Sequence, residues 1–416
     1  MKAAGIDFGT SNSSVGFLPD GIPTLVDFGG DGCSVPSAIF YPSESGQVSF
    51  GKQAVSHYAQ DVDGRLLRSL KSVLGSSLMS EKTTIRNRRV AFSDIIQDFF
   101  GYLKLSLAEH GSSDIDSVVV GRPVHFVDDD IERDKSAEDQ LRSITENAGF
   151  KHVEFQLEPI AAALSYESTL RDEQLALVVD IGGGTADFTV IRLSPDRHQQ
   201  TDRVRDVLST VGVHIGGTDF DRLLSLQSLM PLFGMGTGIK NSTRLVPQSA
   251  YHDLATWHRI PLLYNQATVN TIRQIQLEAS EPVKLQNLLD VVEGRHGHAV
   301  AKAVETAKIE LSNLIQAQCK LNCLPSIPAT SFARDDFEQA IDAALEQLIA
   351  CVRQGLDSAA VNQNAITSVF YTGGSSSIPV LQRRISELFT GAQQVRGDIF
   401  GSVGLGLTID AGQRFA

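Results

Sequence analysis

Two segments combine the residue types that hold a phosphate chain. One is Asp7-Phe8-Gly9-Thr10-Ser11-Asn12-Ser13; the other is Asp180-Ile181-Gly182-Gly183-Gly184-Thr185, with Asp187 shortly after. Glycine allows a sharp turn and a close approach of backbone to ligand. The amides of such a turn, with the side chains of Thr10, Ser11, Asn12 and Thr185, donate to phosphate oxygens. An aspartate closing the preceding strand suits Mg²⁺, which takes oxygen ligands and keeps several waters. Asp7 and Asp180 are therefore the candidate metal ligands, mostly through water. The alternative for either segment alone is an ordinary hairpin turn. The pair, one domain-length apart, reads as a clamp that would grip a polyphosphate from both sides.

Other nucleotide motifs are missing. No glycine triplet in the G-x-G-x-x-G order leads into a helix, and no G-x-x-x-x-G-K-[ST] occurs. Tyr371-Thr372-Gly373-Gly374-Ser375 follows a strand pattern and precedes a helix pattern. Its glycine pair suits a flat ligand such as a nucleoside, or a plain strand-to-helix turn. Gly234-Met235-Gly236-Thr237-Gly238 is an isolated glycine-rich loop, and His296-Gly297-His298 reads as a solvated turn rather than a metal site. Cys33, Cys319, Cys323 and Cys351 complete no zinc set and read as small apolar residues in a reducing compartment. Lys71, taken by itself, is a surface lysine.

The elements that must position these residues alternate along the chain. Short β-branched runs at Ala3–Phe8, Val118–Val120, Leu175–Asp180, Phe188–Leu193, Val207–Val213 and Ser368–Tyr371 read as strands. Helical patterns cover Phe92–Glu109, Ala137–Ala148, Ile160–Glu167, Ala299–Ala317, Asp336–Leu356 and Val380–Phe389. The alternation indicates an α/β architecture. In Ala299–Ala317, Glu305, Lys308 and Ser312 share one face at helical spacing, as on any amphipathic helix with a solvated side. Each Asp–Gly segment follows an apolar strand and is followed by another, a unit used twice that predicts two similar lobes. Residues of about 223–300 are the least readable and are assigned to a peripheral subdomain.

The chain has 416 residues, 42% hydrophobic and 20% charged, enough for two or three domains and a large core. Its net charge of −13 and scattered basic residues argue against nucleic-acid binding. No signal-peptide core opens the chain and no apolar run is long enough to span a membrane, so the expectation is a cytoplasmic protein with no membrane partner.

Six segments resemble, in order, those of the DnaK-type heat-shock chaperones. They are the first Asp–Gly segment, Glu158-Pro159-Ile160-Ala161-Ala162-Ala163-Leu164, Asp180 to Asp187, Gly216-Gly217-Thr218-Asp219-Phe220-Asp221, Ala307-Lys308-Ile309-Glu310-Leu311-Ser312 and Gly373-Gly374-Ser375. The resemblance covers nearly the whole chain through the family's nucleotide-binding domain and is greatest to the short bacterial YegD-type members. It implies a two-lobed actin-like ATPase fold of duplicated ribonuclease-H-like domains: lobe I from 1–170 plus 392–416, lobe II from 171–391. It implies ATP/ADP and Mg²⁺ as cofactors and slow hydrolysis of ATP.

By the same resemblance, Asp7, Asp180 and Asp187 surround Mg²⁺ and the attacking water. Gly9, Thr10, Ser11, Asn12, Gly182, Gly183 and Gly184 hold phosphates, and Thr185 contacts the terminal one. Glu158 holds a metal-bound water. Leu70-Lys71-Ser72-Val73-Leu74-Gly75 is similar to the segment with the family's catalytic lysine, which places Lys71 at the γ-phosphate. Gly216 and Gly217 form a second phosphate-facing turn. Glu305, Lys308 and Ser312 contact adenosine, as do Gly373, Gly374 and Ser375, and Asp398 matches a late pocket aspartate.

The chain also departs from the family pattern. Ser377 stands where an arginine usually stacks on adenine, a contact worth roughly 0.5–2 kcal/mol. Gly121-Arg122-Pro123 replaces Thr-Val-Pro, Glu138 reverses the charge of the family's arginine, and Asp128, Asp129 and Asp130 add acid before it. The expectation is a nucleotide engine without the β-sandwich clamp or lid, with client and co-chaperone unidentified. A small-molecule kinase of the same superfamily, an actin-like polymer and a scaffold with negligible turnover are the competing readings.

Overall fold

The structure is a computed structural model. It describes residues 2–29, 32–44, 46–60, 62–86, 88–112, 114–127, 130–324, 327, 329–396 and 401–416.

Two sheets among the described residues share a five-strand design. The first five are β1 (Ala3–Phe8), β2 (Asn12–Phe17), β3 (Thr24–Leu25), β4 (Ser117–Arg122) and β5 (His152–Leu157), in spatial order β5-β4-β1-β2-β3, with Val35–Pro36 also paired to β2. The second five are β6 (Gln174–Ile181), β7 (Ala186–Leu193), β8 (Val207–Val213), β9 (Ile366–Thr372) and β10 (Gln393–Arg396), in order β8-β7-β6-β9-β10. In each sheet the first three strands run antiparallel, and the fourth and fifth lie parallel on the other side of the first. The duplicated Asp–Gly unit is thus a duplicated sheet. β1 and β6 sit at the centre, and their sequences are accordingly near-continuous apolar runs rather than alternating ones.

The helices repeat as well. Helix α1 (Phe92–Glu109) precedes β4, α2 (Ile131–Asn147) links β4 to β5, and α3 (Glu158–Glu167) follows β5. Of the later helices, α4 (Gly217–Leu224) and α5 (Gly297–Leu311) overlap the two ends of the least readable stretch. Then α6 (Arg334–Ser358) precedes β9, α7 (Pro379–Leu388) links β9 to β10, and α8 (Ser402–Arg414) follows β10. One core packs α1 against the first sheet through Phe8, Phe99 and Phe100; the rings of Phe8 and Phe100 meet edge-on at 5.1 Å. A second core holds α3 and α8 against both sheets, joining Ala3 and Val119 of the first to Ala176 and Val178 of the second. Glycine makes this approach possible: a Cβ on Gly406 would lie 1.9 Å from the Ala161 carbonyl oxygen.

The chain divides into two compact units. Unit 1 comprises Met1–His214, Ala350–Ser377 and Gln382–Ala416 and contains both of these sheets. Unit 2 comprises Ile215–Ile349 and Ile378–Leu381. It is largely helical, with α4, α5, helices at Ser249–Ala255, Gln266–Glu278 and Pro282–Glu293, and a hairpin of Gln316–Cys319 with Thr330–Ala333.

Several expected elements shift. The helix read as Ala299–Ala317 ends at Leu311, and Gln316–Cys319 is a strand. Leu314 and Ile315, which continue the apolar period, are exposed. The helix read from Ala137 begins at Ile131, because the Asp130 carboxylate caps it by accepting from the Arg133 amide at 3.0 Å. His298 is not solvated: it is buried edge-on against Trp257, ring centroids 4.7 Å apart. Cys319 is buried, and burial pushes its thiol up to about 12; the other three cysteines are partly exposed.

Candidate functional site

The first hairpin joins β1 to β2 through Gly9-Thr10-Ser11. The turn is tight: a Cβ on Gly9 would lie 2.2 Å from the Asn12 carbonyl oxygen. Ser37 braces it from outside, donating its hydroxyl to the Gly9 carbonyl at 2.6 Å and its amide to the Ser11 carbonyl at 2.9 Å. The second hairpin joins β6 to β7, closed by the Gly182 amide donating to the Thr185 carbonyl at 3.0 Å. The two tips touch. A Cβ on Gly183 would meet the Ser11 hydroxyl at 2.0 Å. Segments far apart in sequence are therefore in contact at the two residues whose types suggested phosphate binding.

The third glycine segment docks beside the second hairpin. Gly373 has φ +76°, and a Cβ there would lie 2.5 Å from Asp180 Oδ1. Both facts demand glycine. The Ser375 hydroxyl donates to the Gly182 carbonyl at 3.2 Å, and the Ser377 hydroxyl donates to the Gly374 carbonyl at 2.8 Å. Ser377, expected as a lost arginine, thus closes its own loop.

Behind the tips lie the charged groups. Asp7 is on β1, and Asp180 on β6 pairs across the sheet with Asp187 on β7 and with Thr372 on β9. Glu158 opens α3, where the following Pro159 fits the first helical turn and a carboxylate suits the helix N-terminus. Lys71 stands on a short helical turn, Leu70–Val73, anchored by buried Leu70 and Val73 and entered through Ser69 at φ 56°. Its ammonium donates to Glu158 Oε1 at 2.5 Å, with both side chains largely buried.

The electrostatics of this group favour a cation. Burial, then the charge of Glu158, push the Asp7 carboxyl up to about 7 against the pull of Lys71. Burial, Glu158, Asp187 and Asp7 push Asp180 up to about 8, again with Lys71 opposing. Burial pulls Lys71 down, but Glu158, Asp7 and Asp180 outweigh it and hold its ammonium above the ordinary range. Crowded carboxyls that retain protons near neutrality are groups a hard divalent ion would relieve, and all the donors are oxygens. Among the described residues no three acidic, His or Cys side chains converge as a direct metal set, so these oxygens suit Mg²⁺ as an ion that keeps most of its waters.

A cavity continues from these carboxyls. Glu158, Asp180 and Asp187 line one part of it, and Thr189, Thr210 and His125 another. The loop that carries His125 is pinned by Arg122. That guanidinium bonds Glu138, Asp134 at 2.8 Å, and the carbonyls of Pro123 and Val124. The new arginine on β4 therefore answers the reversed charge on α2.

The remaining expected residues belong to unit 2. Gly216 and Gly217 start α4, whose entry is fixed by the Gly216 amide donating to Asp219 Oδ2 at 3.1 Å. Lys308 on α5 is buried, bonded to Asp221 at 2.8 Å and to the Gly217 carbonyl at 3.1 Å. Glu305 lies on the same helix and pairs with Lys302 at 2.8 Å. Ser312 caps the helix end. Asp398, Asp128 and Asp129 lie outside the described residues.

Unit 1 thus gathers Asp7, Gly9, Thr10, Ser11, Asn12, Lys71, Glu158, Asp180, Gly182, Gly183, Gly184, Thr185, Asp187, Gly373, Gly374 and Ser375. Sequence reasoning missed Ser37, which no spacing links to the first hairpin, and Gly212, where a Cβ would lie 2.7 Å from Asp187 Oδ1. No helix among the described residues is long and apolar enough to cross a membrane.

Comparison with known proteins agrees with this arrangement. The family model described as Hsp70 protein matches residues 90–279 and 279–409. The chaperone protein DnaK of Deinococcus radiodurans is 25% identical over 438 residues, covering 99% of this chain and 59% of that protein. The DnaK of Deinococcus deserti is 24% identical with the same coverage. The chain therefore spans well under two thirds of the length of these curated relatives. Its duplicated sheets are those of the actin-like fold that the family's ATPase domain adopts. The chain belongs to the Hsp70 family.

Proposed function

We propose that the chain binds ATP with Mg²⁺ at the two Asp–Gly hairpins and hydrolyses it to ADP and phosphate. The observation that carries this reading is the contact of Ser11 with Gly183, on hairpins whose leading strands carry Asp7 and Asp180, the carboxyls that interact with the buried Lys71–Glu158 pair. Phosphoryl transfer needs positioning and charge neutralisation more than covalent help. The hairpins supply the first and the charged group the second.

In this reading the amides of Gly9 to Asn12 and Gly182 to Gly184 hold the phosphates, with Thr10, Ser11 and Thr185 adding hydroxyl donors. Asp7 and Asp180 would hold Mg²⁺, mostly through water. When bound, the ion supplies positive charge to the phosphate oxygens. Lys71, kept charged and aimed by Glu158, stabilises the negative charge that develops on the terminal phosphoryl group. Asp180 and Asp187 orient the attacking water, and Glu158 would hold a metal-bound water. By the family resemblance, Gly216 and Gly217 would form a second phosphate-facing turn; Glu305, Lys308 and Ser312 would contact adenosine, as would Gly373, Gly374 and Ser375; and Asp398 would be a late nucleotide-pocket aspartate. The division into lobe I, 1–170 with 392–416, and lobe II, 171–391, belongs to the same proposal. Because the relatives are named chaperones, a folding client and a co-chaperone are the protein partners to seek.

The test is a single-turnover reaction with γ-labelled ATP, with and without Mg²⁺ and sugar acceptors. Mg²⁺-dependent release of labelled phosphate supports the proposal. Label on an acceptor would make the chain a kinase, and no release above buffer would make it a nucleotide-binding scaffold.

A further inference from the structure

The second sheet gives the cavity behind the carboxyls a direction. Asp180 is opposite Asp187, and Asp187 is opposite Gly212. Two residues further from the hairpin tip on the same strands, Val178 is opposite Thr189, and Thr189 opposite Thr210. Side chains two apart share a sheet face. The row of carboxylates therefore passes into a row of threonines, and both rows line the one cavity. The Thr189 and Thr210 hydroxyls bond each other at 3.0 Å. His125, an exposed residue on the loop that Arg122 pins to α2, lines the same cavity.

We propose that this cavity is the passage by which inorganic phosphate leaves after cleavage, away from the hairpins and independently of ADP. The inference rests on the ATPase reading above. The phosphates that remain on ADP stay in the hairpin amides and close that side. The severed phosphate is produced at the carboxylates, where the cavity begins. Hydroxyls of Thr189 and Thr210 and the imidazole of His125 offer it successive hydrogen-bond donors. Phosphate therefore leaves first, and ADP release remains a separate step.

The test separates cleavage from release. Cleavage is followed by acid quench in a single turnover, and free phosphate by a fluorescent phosphate-binding reporter. Two variants plug the passage: Thr210→Phe in its wall and His125→Trp at its exposed lining residue, where a larger side chain leaves the core untouched. Melting temperature and Mg·ADP affinity establish that both are folded. The expected result is cleavage within about twofold of wild type, with phosphate release slowed by about fivefold or more. Release that keeps pace with cleavage in both variants overturns the passage. Cleavage slowed as much as release also overturns it, because the cavity would then be the route of the attacking water. Wild-type protein that cleaves nothing overturns the ATPase reading itself, an outcome visible before any variant is made.

Discussion

Gly183→Ala tests the contact between the hairpins. Gly183 does not occupy the left-handed region, so alanine introduces no backbone strain there. What it introduces is a Cβ 2.0 Å from the Ser11 hydroxyl and 3.2 Å from the Ser11 Cβ. Non-bonded carbon contacts settle near roughly 3.5–4.0 Å, so either the tips part by about 1 Å or the serine side chain swings away. Both outcomes withdraw a donor from the shared phosphate. A hydrogen bond to a charged group contributes about 1.5–3 kcal/mol, which sets the expected loss of ATP affinity at roughly 10- to 100-fold. Turnover falls by about 100-fold, the usual consequence of a displacement of this size. The assay is calorimetric or fluorescence binding of ATP, with a single-turnover rate for each variant. Ser11→Ala supplies the control. On that background the added methyl meets only a Cβ, so Gly183→Ala costs less than about half as much free energy as in the wild type. Gly183→Ala with affinity and turnover within about twofold of wild type would refute the reasoning, because the tips would then not share a ligand.

Three further outcomes follow from the same geometry. The carboxyls of Asp7 and Asp180 titrate at about 7 and about 8, far above the unfolded value of 3.8. The folded ligand-free chain thus binds more protons than the unfolded one between these limits, so its stability falls as pH rises from about 4 to about 8. Binding of Mg·ADP at pH 7 should release about one proton, read by calorimetry in buffers of different ionisation enthalpy. Lys71→Ala should lower the single-turnover rate by about 100-fold or more while changing ATP affinity by less than about tenfold, since its charge acts mainly where charge develops. Gly406→Ala should cost about 1–3 kcal/mol in chemical denaturation, because its Cβ would meet the Ala161 carbonyl oxygen at 1.9 Å and neither helix backbone can yield.

Much of the fold was legible because its central strands are buried on both faces. The central, buried Ala3–Phe8 matches the observed strand to the residue; so does Val207–Val213, a half-buried edge strand read from its β-branched residues, and Phe92–Glu109 matches α1. The repeated Asp–Gly unit announced the repeated sheet. Periodicity failed where a neighbour decides the conformation: Leu314 and Ile315 keep the helical spacing, yet the next residues pair with Thr330–Ala333. The site was legible in its types and not in its contacts. Glycine at position 183 suggested a phosphate turn, but that it leaves room for Ser11 depends on two sheets meeting. Lys71 carries no local signal at all and was found through resemblance alone. The Arg122 clasp on Glu138 was read as two separate departures, because only the folded chain places them side by side.

The central claim is that the two Asp–Gly hairpins hold one nucleotide between them. A crystal structure of the chain with Mg²⁺ and a non-hydrolysable ATP analogue tests it most directly. The predicted result is a phosphate chain within hydrogen-bonding distance of the amides of both Gly9–Asn12 and Gly182–Gly184, with the terminal phosphate toward Lys71. Phosphates bound elsewhere, or to one hairpin only, would contradict it.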